Sequence, residues 1–120
     1  MSAMKSYKEL IVWQRAMELV TEIYAVTEKF PESERFGLVS QMRRCAVSIP
    51  SNIAEGFRRG GRKEFHRFLL IAYGSGGELE TQAEICKNLP MLMIHDISAI
   101  ELKLNEVMRM LNKVLQRRSK

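Results

Sequence analysis

With 120 residues the chain has room for one domain with a real hydrophobic core and none for a separate catalytic domain. No apolar run approaches the ~20 residues of a membrane span, and Met1-Ser2-Ala3-Met4-Lys5 opens no signal-type apolar segment, so a cytosolic protein without a membrane partner is expected. The net charge of +5 favours acidic partners without naming them, and Cys45 and Cys86, outside any CxxC pair, fit buried free thiols rather than a zinc site.

Hydrophobic periodicity predicts an all-α fold of four helices. The first covers about 7–29, with Leu10, Trp13, Met17, Val20, Tyr24 and Thr27 on one stripe and Val12, Ala16, Leu19, Ile23, Val26 and Phe30 on the next. Phe30-Pro31 ends it, because the residue before proline disfavours the α region. The second covers about 33–59, its stripe being Val39, Met42, Ala46, Ile49, Ile53 and Phe57, and Gly60-Gly61 closes it. The third, about 62–88, carries Phe65, Phe68, Leu69, Ala72, Leu79 and Ala83. Gly74, Gly76 and Gly77 interrupt its middle, and because the pattern resumes in phase they predict close approach to the small residues of the second helix. After Leu89-Pro90 the fourth runs over about 95–117 on Ile97, Ile100, Leu104, Val107, Leu111 and Val114. Short loops between long helices give an up-down-up-down antiparallel four-helix bundle spanning residues 1–120, roughly 35 Å long.

The polar string Ser48-Ile49-Pro50-Ser51-Asn52-Ile53-Ala54-Glu55-Gly56 stands out in the second helix. Pro50 falls in the helix interior, where it removes a donor and crowds the carbonyl of Ala46 at a cost of about 3 kcal/mol. Pairing the second and third helices about Gly60-Gly61 predicts a structural polar seam of Gln41, Arg43, Arg44, Ser48, Asn52, Glu55, Ser75 and Glu78. In it Arg43 or Arg44 pairs with Glu78, and Ser48, Ser51 or Asn52 takes up the carbonyl freed by Pro50.

The same topology polarises charge. Arg58, Arg59, Arg62, Lys63, Arg67, Arg117 and Arg118 gather at one end with Lys5, Lys8 and Lys120, whereas Glu28, Glu32, Glu34 and Asp96 lie at the other with Lys29 and Arg35. Clustered cations with Phe57, Phe65 and His66 interleaved suit phosphates and unpaired bases; the plainer reading is a solvated, solubilising loop and tail. No RRM, KH or zinc-finger pattern is present. Signals for catalysis are weak. Glu64 or Glu55 beside His66 makes at best an isolated acid–base pair, Glu78 and Glu80 do not share a helical face, and Ser75 between glycines follows no strand. Neither histidine has a metal ligand at helical spacing, and the glycines lack phosphate-loop spacing, so no enzymatic activity, metal or cofactor is expected. The wide apolar surface of the first helix (Ile11, Val12, Trp13, Leu19, Ile23), with Met108, Met110 and Leu115 of the fourth, exceeds what one bundle interior needs and predicts self-association.

Several strings together resemble one family. They are Leu10, Val12-Trp13-Gln14 and Ala16; Phe30-Pro31 and Glu34; Gln41, Arg43-Arg44 and Ser48 to Gly56; and Glu64-Phe65, Phe68-Leu69, Ala72, Ser75, Glu78-Leu79 and Thr81-Gln82. The chain resembles the four-helix bundle proteins encoded in intervening sequences of bacterial 23S ribosomal RNA genes and, more distantly, the accessory proteins of diversity-generating retroelements. That resemblance implies a homo-oligomer, a pentameric ring, with RNA favoured over DNA as partner. It also implies an alternative, a protein-interaction scaffold that holds a partner such as a reverse transcriptase. The family has no agreed catalytic residues to carry over, and the extra glycine of Gly76-Gly77 departs from its pattern.

Overall fold

A computed structural model describes residues 4–119 and, within them, the side chains of residues 4–117. Four helices make up the chain: α1 (Ile11–Thr27), α2 (Leu38–Arg59), α3 (Arg62–Asn88) and α4 (Ser98–Ser119). Each packs on its neighbours in sequence, and α4 closes back onto α1. Contacts across the helix pairs fix the directions. Ser48 meets Ser75 and Cys45 meets Glu78, so α2 and α3 are antiparallel, about two residues from the expected register. Arg15 pairs with Glu106 and Glu18 with Lys103, so α1 and α4 are antiparallel too. The result is the up-down-up-down bundle, 51 × 25 × 21 Å. It is longer than the ~35 Å expected because the 27-residue α3 alone spans about 40 Å and the loops extend past the helix ends.

The ends of the helices show where local chemistry overrides periodicity. Tyr7–Glu9 is a single 3-10 turn rather than the start of α1. Ser6 accepts from the Lys8 amide at 3.1 Å, and Leu10 is extended with ψ 124°. The Tyr7 ring then sits edge-on to Trp13, 5.3 Å between centroids, so the segment hooks over the end of the bundle. Likewise Glu32–Glu34 is a 3-10 turn and α2 begins only at Leu38, whose amide donates to the Glu34 carboxylate at 3.1 Å. Gly60 and Gly61, at φ 73° and 84°, make the tight α2–α3 turn in a region that other residues rarely adopt. Asp96 accepts from the Ser98 amide at 2.9 Å and starts α4 three residues later than its pattern suggested.

The hydrogen bond from Ser98 holds the Asp96 carboxyl below its ordinary value. The contribution of this cap is therefore full above the usual carboxylate pKa and disappears as pH falls through the lowered one. Amide exchange at Ser98 and Ala99 should stay slow down through the ordinary aspartate range and accelerate below it. In Asp96→Asn the exchange should lose that pH dependence.

The core is one continuous cluster. Leu19, Ile23, Met42, Ile49, Ile53, Leu69, Leu79, Ile100 and Leu111 are fully enclosed, each burial contributing about 1.5–3 kcal/mol. Pro50 is buried inside an unbroken α2. The glycines of α3 do not do what the pattern suggested. Gly76 lies against Met108 of α4, and Gly74 and Gly77 face open space. The close approach between α2 and α3 occurs instead at Gly56, where an added Cβ would come within 2.8 Å of the Phe68 Cβ.

Candidate functional site

The up-down-up-down topology brings the last turn of α4, with Arg117, to the end where α1 begins, and the Gly60–Gly61 turn places Arg58 to Lys63 at that same end. The structure divides the predicted cations into two groups. Arg59 and Arg67 are engaged: Arg59 donates to Glu55 at 2.8 Å, and Arg67 donates to Glu64 at 3.2 and 3.3 Å. Both guanidinium groups also lie over the buried Phe68 ring, 5.1 and 4.5 Å from its centroid. The Arg67 hydrogen bond holds the Glu64 carboxyl below its ordinary value.

Arg58, Arg62, Lys63 and Arg117 are exposed and, among the described residues, form no ion pair. The Arg58 guanidinium lies over the Tyr7 ring, 5.6 Å from its centroid, on a side chain that stays exposed. The side chain of Arg118 lies outside the described residues. Phe57 and Phe65 are not open platforms, since they are half-buried and pack edge-to-face at 6.4 Å. His66 is half-buried, with a buried Nδ1 that has no partner.

The polar seam assembles differently from its sequence reading. Ser48 and Ser75 share a hydrogen bond of 2.8 Å across the α2–α3 contact, and the Asn52 amide donates to the Ser48 hydroxyl and carbonyl at 2.9 and 2.8 Å. Asn52 thus serves the carbonyl of Ser48, two residues on from the Ala46 carbonyl that Pro50 frees. Gln41, Arg44 and Glu78 line a pocket over these serines. Arg43 does not pair with Glu78. It turns to α1, where its Nε donates to the buried Thr27 hydroxyl at 2.9 Å and its Nη2 to the Glu28 carboxylate and the Tyr24 carbonyl at 3.3 and 3.4 Å, above the Tyr24 ring. Neighbouring helical positions point about 100° apart, so Arg43 and Arg44 serve different interfaces. Glu55 also leaves the seam for Arg59.

Two seam members were missed. Gln82 donates to Cys45 Sγ at 3.4 Å, and the Cys45 thiol lies 3.8 Å from Glu78, to which it donates. The signal was present as polar residues at helical spacing, Gln41-Cys45-Ser48-Asn52 on α2 and Ser75-Glu78-Gln82 on α3. Both cysteines are buried and free, and burial raises both thiols, Cys86 to about 11. Because Arg43 bolts α2 to α1 with charge-assisted bonds, Arg43→Ala should destabilise the fold by about 2 kcal/mol, read from the midpoint of urea unfolding.

The proposed interface on α1 also needs revision. Leu19 and Ile23 are 0% exposed inside the protomer core and cannot meet a second copy. The reason is that both α2 and α4 pack on α1, so a wide arc of it is internal. Ile11 is 49% exposed, and Val12 and Trp13 are half-buried. On α4, Met108 and Leu115 are buried as well, and Met110 is half-buried.

The family model for the 23S rRNA-intervening sequence protein matches residues 8–113. The chain belongs to this family. The match covers all of α1 to α3 and most of α4, a range that includes the Gly60–Gly61 turn and the serine seam. No curated protein matches the sequence. Among the described residues no group of three or more His, Cys, Asp or Glu is placed to hold a metal, and no helix is long and apolar enough to cross a membrane.

Proposed function

We propose that this intervening-sequence protein is a non-catalytic RNA-binding bundle of the cytosol that works as a homo-oligomer, a five-membered ring, and grips phosphates with its basic end. The observation that carries the reading is the set of four exposed cations without carboxylate partners (Arg58, Arg62, Lys63 and Arg117) on one end of a rigid bundle. Such a set binds phosphates without base specificity, because it offers charge and no directional readout of base edges. Repetition around a ring multiplies weak contacts. Of the α1 residues expected at a self-association interface, Ile11, Val12 and Trp13 remain accessible.

The test is binding of the purified protein to structured RNA, single-stranded DNA and duplex DNA across a salt series, with oligomer mass measured by light scattering. Affinity that falls steeply with salt and is highest for RNA supports the reading. An assembled protein that binds no nucleic acid at low salt refutes it.

A second reading rests on a different observation. At the end opposite the cations, Phe36 is 88% and Ile94 85% exposed, and Met93, next to Ile94 in the chain, is exposed as well. The Phe30 and His95 rings, 5.0 Å apart, hold the two loops together there. Exposed apolar groups of this size suit a protein-interaction scaffold, such as a ring that holds a reverse transcriptase. That reading predicts partner binding that tolerates salt and loss of the loop arginines.

A further inference from the structure

The seam between α2 and α3 opens outward into a pocket of about 280 Å³, smaller than a drug-sized site and lined chiefly by polar side chains. Its two walls carry opposite charges, Arg44 from α2 and Glu78 from α3. Among the described residues neither forms an ion pair, with the other or with anything else. Both charges act on the Cys45 thiol between the helices, Glu78 raising its pKa and Arg44 lowering it, and burial dominates, so the thiol is neutral at physiological pH. Among the described residues lining the pocket, Glu78 is the anion and Arg44 the cation.

Gln82 adds an independent observation. It lines the same pocket and is only 7% exposed; its amide nitrogen is used on Cys45, while its Oε1 is buried and has no hydrogen-bond partner. Buried carbonyl oxygens without a donor are uncommon in native proteins, and one bordering a pocket calls for an N–H or O–H from whatever fills it. The Ser48–Ser75 hydrogen bond uses one of the two hydroxyl protons, and neither hydroxyl reaches the Gln82 Oε1. The missing complement is thus a group with N–H donors for the Glu78–Gln82 wall and an anionic group for Arg44.

We propose that this pocket binds a small zwitterion, a free α-amino acid, with its carboxylate on Arg44 and its ammonium group on Glu78 and the Gln82 Oε1. Opposite charges that line one pocket without pairing favour a ligand whose ammonium nitrogen and carboxylate are joined through a single carbon, and a simple anion or cation satisfies only half the site. The proposal does not depend on RNA binding, because none of the four unpaired cations of the basic end lines the pocket.

The experiment is a thermal-shift screen of the full-length protein against the free L-α-amino acids at about 10 mM, followed by calorimetry on those that stabilise it. At least one amino acid should raise the melting temperature, and blocking its amino group by acetylation or its carboxylate as the amide should each weaken binding about tenfold or more. Arg44→Gln and Glu78→Gln change exposed side chains and should fold normally by circular dichroism while binding about tenfold more weakly. No stabilisation by any amino acid, or binding unchanged in both variants, overturns the proposal.

Discussion

Changing Arg58, Arg62, Lys63 and Arg117 together to alanine should lower affinity for single-stranded RNA by about two orders of magnitude at roughly 0.1 M salt and flatten its salt dependence. These four cations are exposed and unpaired, so each is free to displace a counterion from a phosphate. Four contacts to a single strand give a slope near −3 in log affinity against log salt, or about 50-fold between 50 and 200 mM. The variant should lose most of that slope while keeping its helicity and its oligomer mass. Arg59→Ala and Arg67→Ala should behave differently. Their charges are already offset by Glu55 and Glu64 and their planes lie on Phe68, so removing them should disturb the packing of the α2–α3 turn more than the salt slope. If the two sets of variants lower RNA affinity equally, the division of the basic end into free and engaged cations is wrong.

Gly56→Val should be the most damaging single change in the α2–α3 contact. An added Cβ at Gly56 would meet the Phe68 Cβ at 2.8 Å and the Phe65 ring at 3.2 Å. The Phe68 Cβ is one bond from its backbone and cannot swing aside, so the helices must separate. Overpacking of this kind costs about 1–3 kcal/mol. Alanine recovers up to ~1 kcal/mol of helix propensity, which leaves Gly56→Ala less stable by about 0–2 kcal/mol and valine worse. Gly76→Ala meets the sulfur of Met108, the flexible far part of a side chain, and should cost less. Gly74→Ala meets nothing within 4 Å and should stabilise the bundle by about 0.5–1 kcal/mol. Denaturant midpoints for these variants at constant m-value would test the order, and a Gly56→Ala protein as stable as Gly74→Ala would sink it.

These cases also show which parts of the molecule were legible in its sequence. The α2–α3 turn was readable because Gly60-Gly61 breaks a helix for a local reason, and α3 runs over the residues its pattern gave. The starts of α1 and α2 were not, because Leu10 and Glu34 act through a backbone angle and a carboxylate cap that leave no mark on hydrophobic spacing. Leu19 and Ile23 were misplaced because periodicity gives a face and not the number of helices covering it. The seam was visible as polar residues in an apolar helix, but its partners depended on rotations of about 100° that separate Arg43 from Arg44. The cation cluster was legible from topology alone. Which of its members are neutralised depended on short-range geometry around Glu55 and Glu64.

The antiparallel packing that brings the end of α4 to the start of α1 has a practical consequence. Any tether joined near the start of α1 or the end of α4, whether a fused tag, a dye or a link to a sensor surface, leaves the bundle at the end that carries the free cations. It crowds the surface under study, and an acidic or His-rich tag alters its charge as well. Immobilisation through a residue near Met93, at the far end of a body 51 Å long, leaves that surface facing solution and is the geometry in which weak, salt-dependent contacts can be measured without interference.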